Sequence, residues 1–335
     1  MDSTALTTEI KEKSKELGFD LCRIAPIDVD IDQVFLRKWL DNGYAATMNW
    51  LHRNFDKRVK PQLIMEEAKT IIMFGVNYYQ ERPDRRGTMA MYALGRDYHK
   101  VLNRNLKAMG RFIESRGGKA KWYVDTGPVM ERSIAEKAGL GWKGKSSHLI
   151  NRDYGTWLFL SEVFTDLELV HDTESKNYCG SCTSCIDVCP TQAIVAPYEL
   201  DSRKCIAYLT IEHHGSIPEE FRRAIGDHVF GCDDCLDVCP WNRWAKQTKE
   251  ADFDAKDLPD LRDMLKWNHD EFFNHFAGTP IYRLKLDRWK RNICVVLGNI
   301  GTTDDLLDLN LVKQENDLIG EHAQWAITEI ERRLG

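Results

Sequence analysis

No stretch of the 335-residue chain approaches the roughly 18 continuous apolar residues that a membrane-crossing helix needs, so a helical membrane span is excluded and no membrane partner is expected. The opening residues, MDSTALTTEIKEKSKELGF, are polar and charged and lack the apolar middle of a secretory signal. No Gly-x-Gly-x-x-Gly follows a strand-like run, which leaves a Rossmann nicotinamide site without support. There is no Cys-x-x-Cys-His, so a c-type haem is excluded. Excess positive charge is also missing. Lys and Arg number 46 against 52 Asp and Glu, a net charge of −6. The overall field therefore does not attract nucleic acid, and only a local basic patch can do so.

What remains is an ordinary globular composition, long enough for two or three domains and expected in the cytoplasm. Disulfides are disfavoured there, so ten cysteines call for metal or redox chemistry. Eight of them fall between Cys179 and Cys239.

The chain divides by pattern into three parts. Residues 1–170 alternate helix-like segments (Thr4–Leu17, Val34–Leu40, Tyr98–Ser115, Glu131–Ala138) with strand-like ones (Leu21–Ile27, Thr70–Tyr79, Lys119–Val124). His148–Ile150 and Thr156–Val163 read as a hairpin. This alternation predicts an α/β or α+β domain. Residues 171–245 are dominated by cysteine. Residues 246–335 begin with a charged, proline-punctuated stretch that reads as a connector to about 280, followed by a helical tail. In that tail Val296, Leu297 and Ile300 recur thirty residues later as Ala326, Ile327 and Ile330, which suits either a HEAT-like pair of repeats or two ordinary amphipathic helices.

The spacing Cys179-x2-Cys182-x2-Cys185-x3-Cys189-Pro190 is the bacterial ferredoxin run, in which three close cysteines hold one 4Fe–4S cubane and the fourth crosses to another. A second run, Cys232-x2-Cys235-x3-Cys239-Pro240, has Val229 where a further cysteine is needed, and Cys205 is the only cysteine left in the segment. Counting closes with Cys179, Cys182, Cys185 and Cys239 on one cluster and Cys189, Cys205, Cys232 and Cys235 on the other. Structural zinc would show separated pairs without the Cys-Pro ending. Cys22 and Cys294 sit in apolar surroundings and read as core. Two clusters in series imply a relay from an external low-potential donor to an internal acceptor.

Several long strings, VDTGPVMERSIAEKAGLGWKGK, KCIAYLTIEHHGSIPEEFRRAIG and FGCDDCLDVCPWN, together with KRV at Lys57–Val59 and GRDYH at Gly95–His99, resemble the epoxyqueuosine reductase family over nearly the whole chain. That family is related to reductive dehalogenases. The resemblance implies an N-terminal α/β cobalamin-binding domain, a ferredoxin-like dicluster domain and a HEAT-like tail that holds tRNA. It implies reduction of the epoxide of epoxyqueuosine at the tRNA wobble position to queuosine, with cobalamin and two 4Fe–4S clusters; a monomer is expected. Asp125 matches the family's proton donor, although Asp also suits a helix start. Delivering a proton near neutrality asks the site to keep that carboxyl protonated, which burial under a large macrocycle favours. Arg58, Lys145, Ser146, Ser147, His148, Ala207 and Asp233 match cofactor-contact positions. Ser146 stands where many relatives carry Asn, and His148 where they carry an apolar residue. In TPIYRLKLDRWKRN, the residues Arg283, Lys285, Arg288, Lys290 and Arg291 form a basic run. If it is helical, Lys285, Arg288 and Arg291 share a face for phosphate contacts; otherwise the run is a solvated helix face. Two alternatives stay open on the residues alone: a dehalogenase-like reductase of small molecules and a plain dicluster electron carrier.

Overall fold

The computed structural model describes residues 2–334. Its centre is a four-stranded sheet in the order Leu21–Pro26, Thr70–Asn77, Leu158–Thr165, Ala120–Tyr123, with every neighbouring pair antiparallel. The two middle strands are almost wholly buried, which is why TIIMFGVN reads as a continuous apolar run instead of alternating. Side chains of Ile24, Ile72, Phe74 and Val163 enter a core closed by helices Ser3–Glu16 and Tyr98–Ser115. Ala25, Ile71, Met73 and Phe164 enter a second core on the opposite face, closed by helices Gln33–Asp41 and Glu131–Lys137. Helix Tyr98–Ser115 forms because Val101, Leu102, Leu106, Met109 and Ile113 fall on one face and the Asp97 carboxylate accepts the His99 N–H at its start.

The helix–strand alternation expected from the sequence is present, but the sheet is antiparallel, so the domain is the α+β form of that reading. The expected hairpin is not formed. Leu149–Ile150 pairs with Trp142–Lys143, whereas Leu158–Thr165 is long and apolar enough to take a central place in the sheet. Only an Asn151–Gly155 bridge joins the two segments. The Gly139-Leu-Gly-Trp-Lys-Gly144 string follows a helix and contains the short strand Trp142–Lys143, so it opens no dinucleotide site.

In the cysteine-rich segment, short helices Ser184–Asp187 and Asp234–Asp237, which carry Cys185 and Cys235, pack on each other. The stretch after residue 246 is no loose connector. It contains helices Leu261–Leu265 and His269–Phe276, and Leu261, Met264, Leu265, Phe272 and Phe276 are buried. The tail helices Leu286–Ile300 and Asp317–Leu334 pack together through Val296, Leu297, Ala326, Ile327 and Ile330, while Ile300 faces outward. A single apolar cluster contains Leu6, Ile206, Leu261 and Ile330, so the three parts share one core. Cys22 and Cys294 are buried in it. Among the described residues no helix is long and apolar enough to cross a membrane.

Candidate active site

Asp125 leaves the end of the edge strand Ala120–Tyr123 at the tip of a three-residue turn. The turn is closed by the Thr126 N–H donating to the Val124 carbonyl at 2.6 Å. Asp125 has φ +57°, a left-handed conformation that Asp tolerates better than most residues. Gly127 is required next, because a Cβ there would lie 2.6 Å from the Tyr123 ring. The turn presents the Asp125 carboxylate outward, 61% exposed. The Tyr98 hydroxyl donates to it at 2.6 Å, and His99 Nε2 lies 3.9 Å away. His99 is oriented by Asp97, whose carboxylate meets Nδ1 at 2.7 Å. Burial, with Asp125 adding to it, pushes the Tyr98 phenol far up, so Tyr98 remains a donor. Behind the turn, the Asp125 N–H donates to Glu131 Oε1 at 2.7 Å. Burial and then Asp125 push the Glu131 carboxyl up to about 8.

The eight clustered cysteines fall into two neighbourhoods. Burial raises the Cys239 thiol to about 11, and Cys179, Cys185 and Cys182 add to the rise. Cys185 is raised by burial and then by Cys179 and Cys182. In the other neighbourhood, burial raises Cys205, with Cys189 adding. Burial likewise raises Cys232, which has Cys235 and Cys205 among its neighbours. Concentrating thiols against one another is costly unless a cation takes their protons, which is what iron–sulfur clusters do. Tyr92 joins this second group to Asp125. Its ring centroid lies 6.1 Å from that of Tyr98 and 6.2 Å from that of Phe230, two residues before Cys232. Burial raises the Tyr92 phenol, and Asp125 and then Asp233 raise it further.

The other expected cofactor residues differ in what they have to offer. Arg58 is 9% exposed and spends one donor on the Trp50 carbonyl, at 3.3 Å, while its buried Nε–H has no partner. A buried guanidinium with a free donor fits an amide- and phosphate-bearing corrin. Ser146 is buried, and Ser147, at φ +67°, donates to the Tyr198 carbonyl at 3.0 Å. Ala207 is half-buried and leads into a π-helical turn, Tyr208–Glu212. Burial lowers His148 to about 3, so it is a neutral ring. Its Nδ1 lies 3.2 Å from the Ser146 carbonyl oxygen. Lys145 is committed elsewhere, donating to the Gly180 and Cys182 carbonyls at 2.8 Å each. Asp233 is committed too. Its Oδ2 accepts from the Met91 N–H at 2.7 Å and from Arg82 at 2.6 Å, and its backbone carbonyl accepts from the Leu236 and Asp237 N–H groups, at 2.7 and 2.8 Å.

The basic run does not form the expected stripe. Its helix starts only at Leu286, and Lys285 precedes it with φ +66°. Arg291 is fully buried and Lys290 is 3% exposed, so neither reaches a phosphate from the surface. Lys290 pairs with Glu315 at 2.6 Å. Arg291 donates to the carbonyls of His213, Gly215 and Leu209 at 2.8, 2.7 and 3.0 Å. Asn292 holds Thr210 and Val229 in the same way. Half-buried Arg288 donates to the Ile211 carbonyl at 2.8 Å. These side chains clamp the π-helical turn between Cys205 and Cys232, and only Arg283 and Lys285 stay exposed. Arg291→Met is expected to cost about 3 kcal/mol by stranding buried carbonyls, and Arg283→Met less than about 0.5 kcal/mol. Thermal unfolding of the two variants checks this, and equal midpoints would remove the clamp.

Sequence reading missed Tyr98 and His99 as site residues, although GRDYH held both. It also missed Glu131 and Glu162. A lone acid inside the apolar run TWLFLSEVF was the available signal for Glu162.

A family model described as "Epoxyqueuosine reductase QueG, DUF1730" matches residues 58–126, and one described as "4Fe-4S double cluster binding domain" matches residues 178–242. The chain is 42% identical to the epoxyqueuosine reductase of Xanthomonas campestris, covering 98% of this chain and 97% of that one. It is 39% identical to the Escherichia coli K12 enzyme, covering 99% and 92%. A crystal structure of epoxyqueuosine reductase with an epoxyqueuosine-modified tRNA-Tyr stem loop superposes with TM-score 0.92 at 30% identity, over 97% of this chain and 90% of that one. The Streptococcus thermophilus enzyme gives 0.90 at 30% identity, over 98% and 91%. With its dicluster segment and its aspartate turn lying within such full-length likeness, the chain belongs to the epoxyqueuosine reductase family.

Proposed function

We propose that this chain reduces the epoxide of epoxyqueuosine in tRNA to queuosine. The observation that carries the reading is the meeting, across Tyr92, of an outward-facing acid and a half-buried group of thiols. Reduction of the epoxide consumes two electrons and two protons and releases water, so one pocket must receive both. Cys179, Cys182, Cys185 and Cys239 would hold one cluster, supplied with electrons by an external low-potential donor. Cys189, Cys205, Cys232 and Cys235, on the Tyr92 side, would hold the other. Cobalamin, when bound, would supply low-valent cobalt, a strong nucleophile and reductant. Arg58 would offer it the free Nε–H, Ser146, Ser147 and His148 would supply one wall, and Ala207 and Asp233 another.

Asp125 gives its proton to the departing oxygen, and Tyr98 holds the carboxylate that results through a short hydrogen bond. The wobble base must leave its stack to reach Asp125, which a single-stranded anticodon loop permits. Cytoplasmic residence fits both the thiol chemistry and the tRNA substrate.

Arg283 and Lys285 are the exposed cations of the basic run, although Arg283 also lies 3.1 Å from His99 Nδ1 and 3.6 Å from Asp97. Removing both is expected to lower the slope of log K against log salt for tRNA binding by about 1.5. An unchanged slope would place the phosphate contacts elsewhere. The function itself is tested by anaerobic reconstitution with iron, sulfide, cobalamin and a reductant. Nucleosides from epoxyqueuosine-containing tRNA are then weighed by mass spectrometry. Conversion to queuosine is expected, and intact epoxyqueuosine with both cofactors bound overturns the assignment.

A further inference from the structure

Glu162 stands in the middle of the central strand Leu158–Thr165, fully buried, with no hydrogen-bond partner for either side-chain oxygen. The register Arg23–Met73–Glu162–Tyr123 puts it on the sheet face covered by helix Glu131–Lys137. A carboxyl there does nothing for the fold that a leucine would not do better, because an unpartnered polar group in an apolar layer costs stability. Burial, then Glu131 and Asp125, holds Glu162 far above the ordinary carboxylate range, so it is neutral. Three carboxyl groups thus run inward from solvent, from exposed Asp125 through half-buried Glu131 to enclosed Glu162.

The geometry points to Glu131, backed by Glu162, as the group that returns a proton to Asp125 within each turnover. This rests on the reductase reading above. Both carbon–oxygen bonds of the epoxide break, a carbon–carbon double bond forms and the oxygen leaves as water. Two electrons arrive through the clusters, and two protons are needed, but Asp125 carries one. Once it has given that proton, its carboxylate takes the proton of Glu131. Neutral Glu162 then donates a hydrogen bond to the carboxylate left at Glu131, in the manner of two carboxyls sharing a proton. When product leaves, the exposed end of the file reloads from water. Arg58 and Arg132 lower Glu131, and Tyr98 and His99 flank Asp125. Arg23 lies two strands from Glu162.

Glu131→Gln keeps an oxygen for the Asp125 N–H and so keeps the turn, but it has no proton to return. The reconstituted variant is expected to turn over about tenfold more slowly, below the 10²–10⁴ of a direct acid, and to lose the alkaline fall in rate near pH 8. Glu131→Asp is expected to keep that fall. Glu162→Leu is expected to unfold at higher temperature yet turn over several-fold more slowly, whereas Glu162→Gln, still a donor, retains most of the rate. A readout independent of turnover is infrared spectroscopy of the cofactor-free protein. A protonated-carboxyl stretch that titrates near pH 8 should vanish in Glu131→Gln.

Stability gives a further readout. The folded chain holds the Glu131 proton above the unfolded value of 4.5, so folded binds more protons than unfolded, and stability falls as pH rises from there through about 8. Glu131→Gln should flatten that fall. A wild-type pH profile in Glu131→Gln, or no titrating stretch in the wild type, overturns the inference while leaving the reductase assignment intact. An inactive wild-type holoenzyme defeats the assignment instead.

Discussion

Asp125→Asn is expected to leave a folded protein that binds clusters, cofactor and tRNA but turns over about 10²–10⁴ times more slowly. Asparagine is the informative replacement. Position 125 has φ +57°, which Asn adopts as readily as Asp. Its side-chain oxygen still accepts the Tyr98 hydroxyl, and its N–H still reaches Glu131. What disappears is the proton. Alanine confounds two effects, since it also bears about 1 kcal/mol or more of left-handed strain and frees Tyr98. Single-turnover mixing with pre-reduced enzyme separates proton delivery from electron supply, because the clusters of the Asn variant should still reduce at the wild-type rate. Wild-type turnover in Asp125→Asn would move the acid elsewhere, with His99, 3.9 Å from the carboxylate, the next group to test.

How much of this site was legible depended on how far apart its parts lie along the chain. The cysteine runs were readable because ligands for one cubane come from a short loop, so spacing records geometry. Asp125 was readable because strand, turn and helix follow one another in VDTGPVMERS. Glu162 comes onto the sheet face that helix Glu131–Lys137 covers only because the antiparallel sheet brings Leu158–Thr165 beside Ala120–Tyr123, and no local pattern records that pairing. The tail shows the opposite failure. A run of Arg and Lys looks like surface, yet charge does not say which way a side chain points. Arg291 is inside because carbonyls at Leu209, His213 and Gly215, from a distant segment, need donors there. Prolines and charges around residue 250 likewise hid Leu261, Met264 and Leu265, which return at helical spacing to the core.

Cys205→Ser is expected to lower the iron of the reconstituted chain from about eight atoms to about four and to abolish turnover. Serine conserves volume, so the loss reports the missing thiolate and not a cavity. Cys205 begins the segment that Arg291 and Asn292 clamp, and that clamp holds it beside Cys189, Cys232 and Cys235 despite a gap of 27 residues to Cys232. Removing the ligand should therefore also loosen the π-helical turn, seen as faster amide exchange from Tyr208 to Glu212. Cys22→Ala and Cys294→Ala, both in the apolar core, should keep the full iron content. The cluster held by Cys179, Cys182, Cys185 and Cys239 should survive in Cys205→Ser and still take an electron, so the variant becomes a reducible protein with no outlet to the pocket. Retention of about eight irons would mean that another side chain completes the second cubane. His228, with Nε2 3.8 Å from Cys232 Sγ, is the neighbour placed to do so.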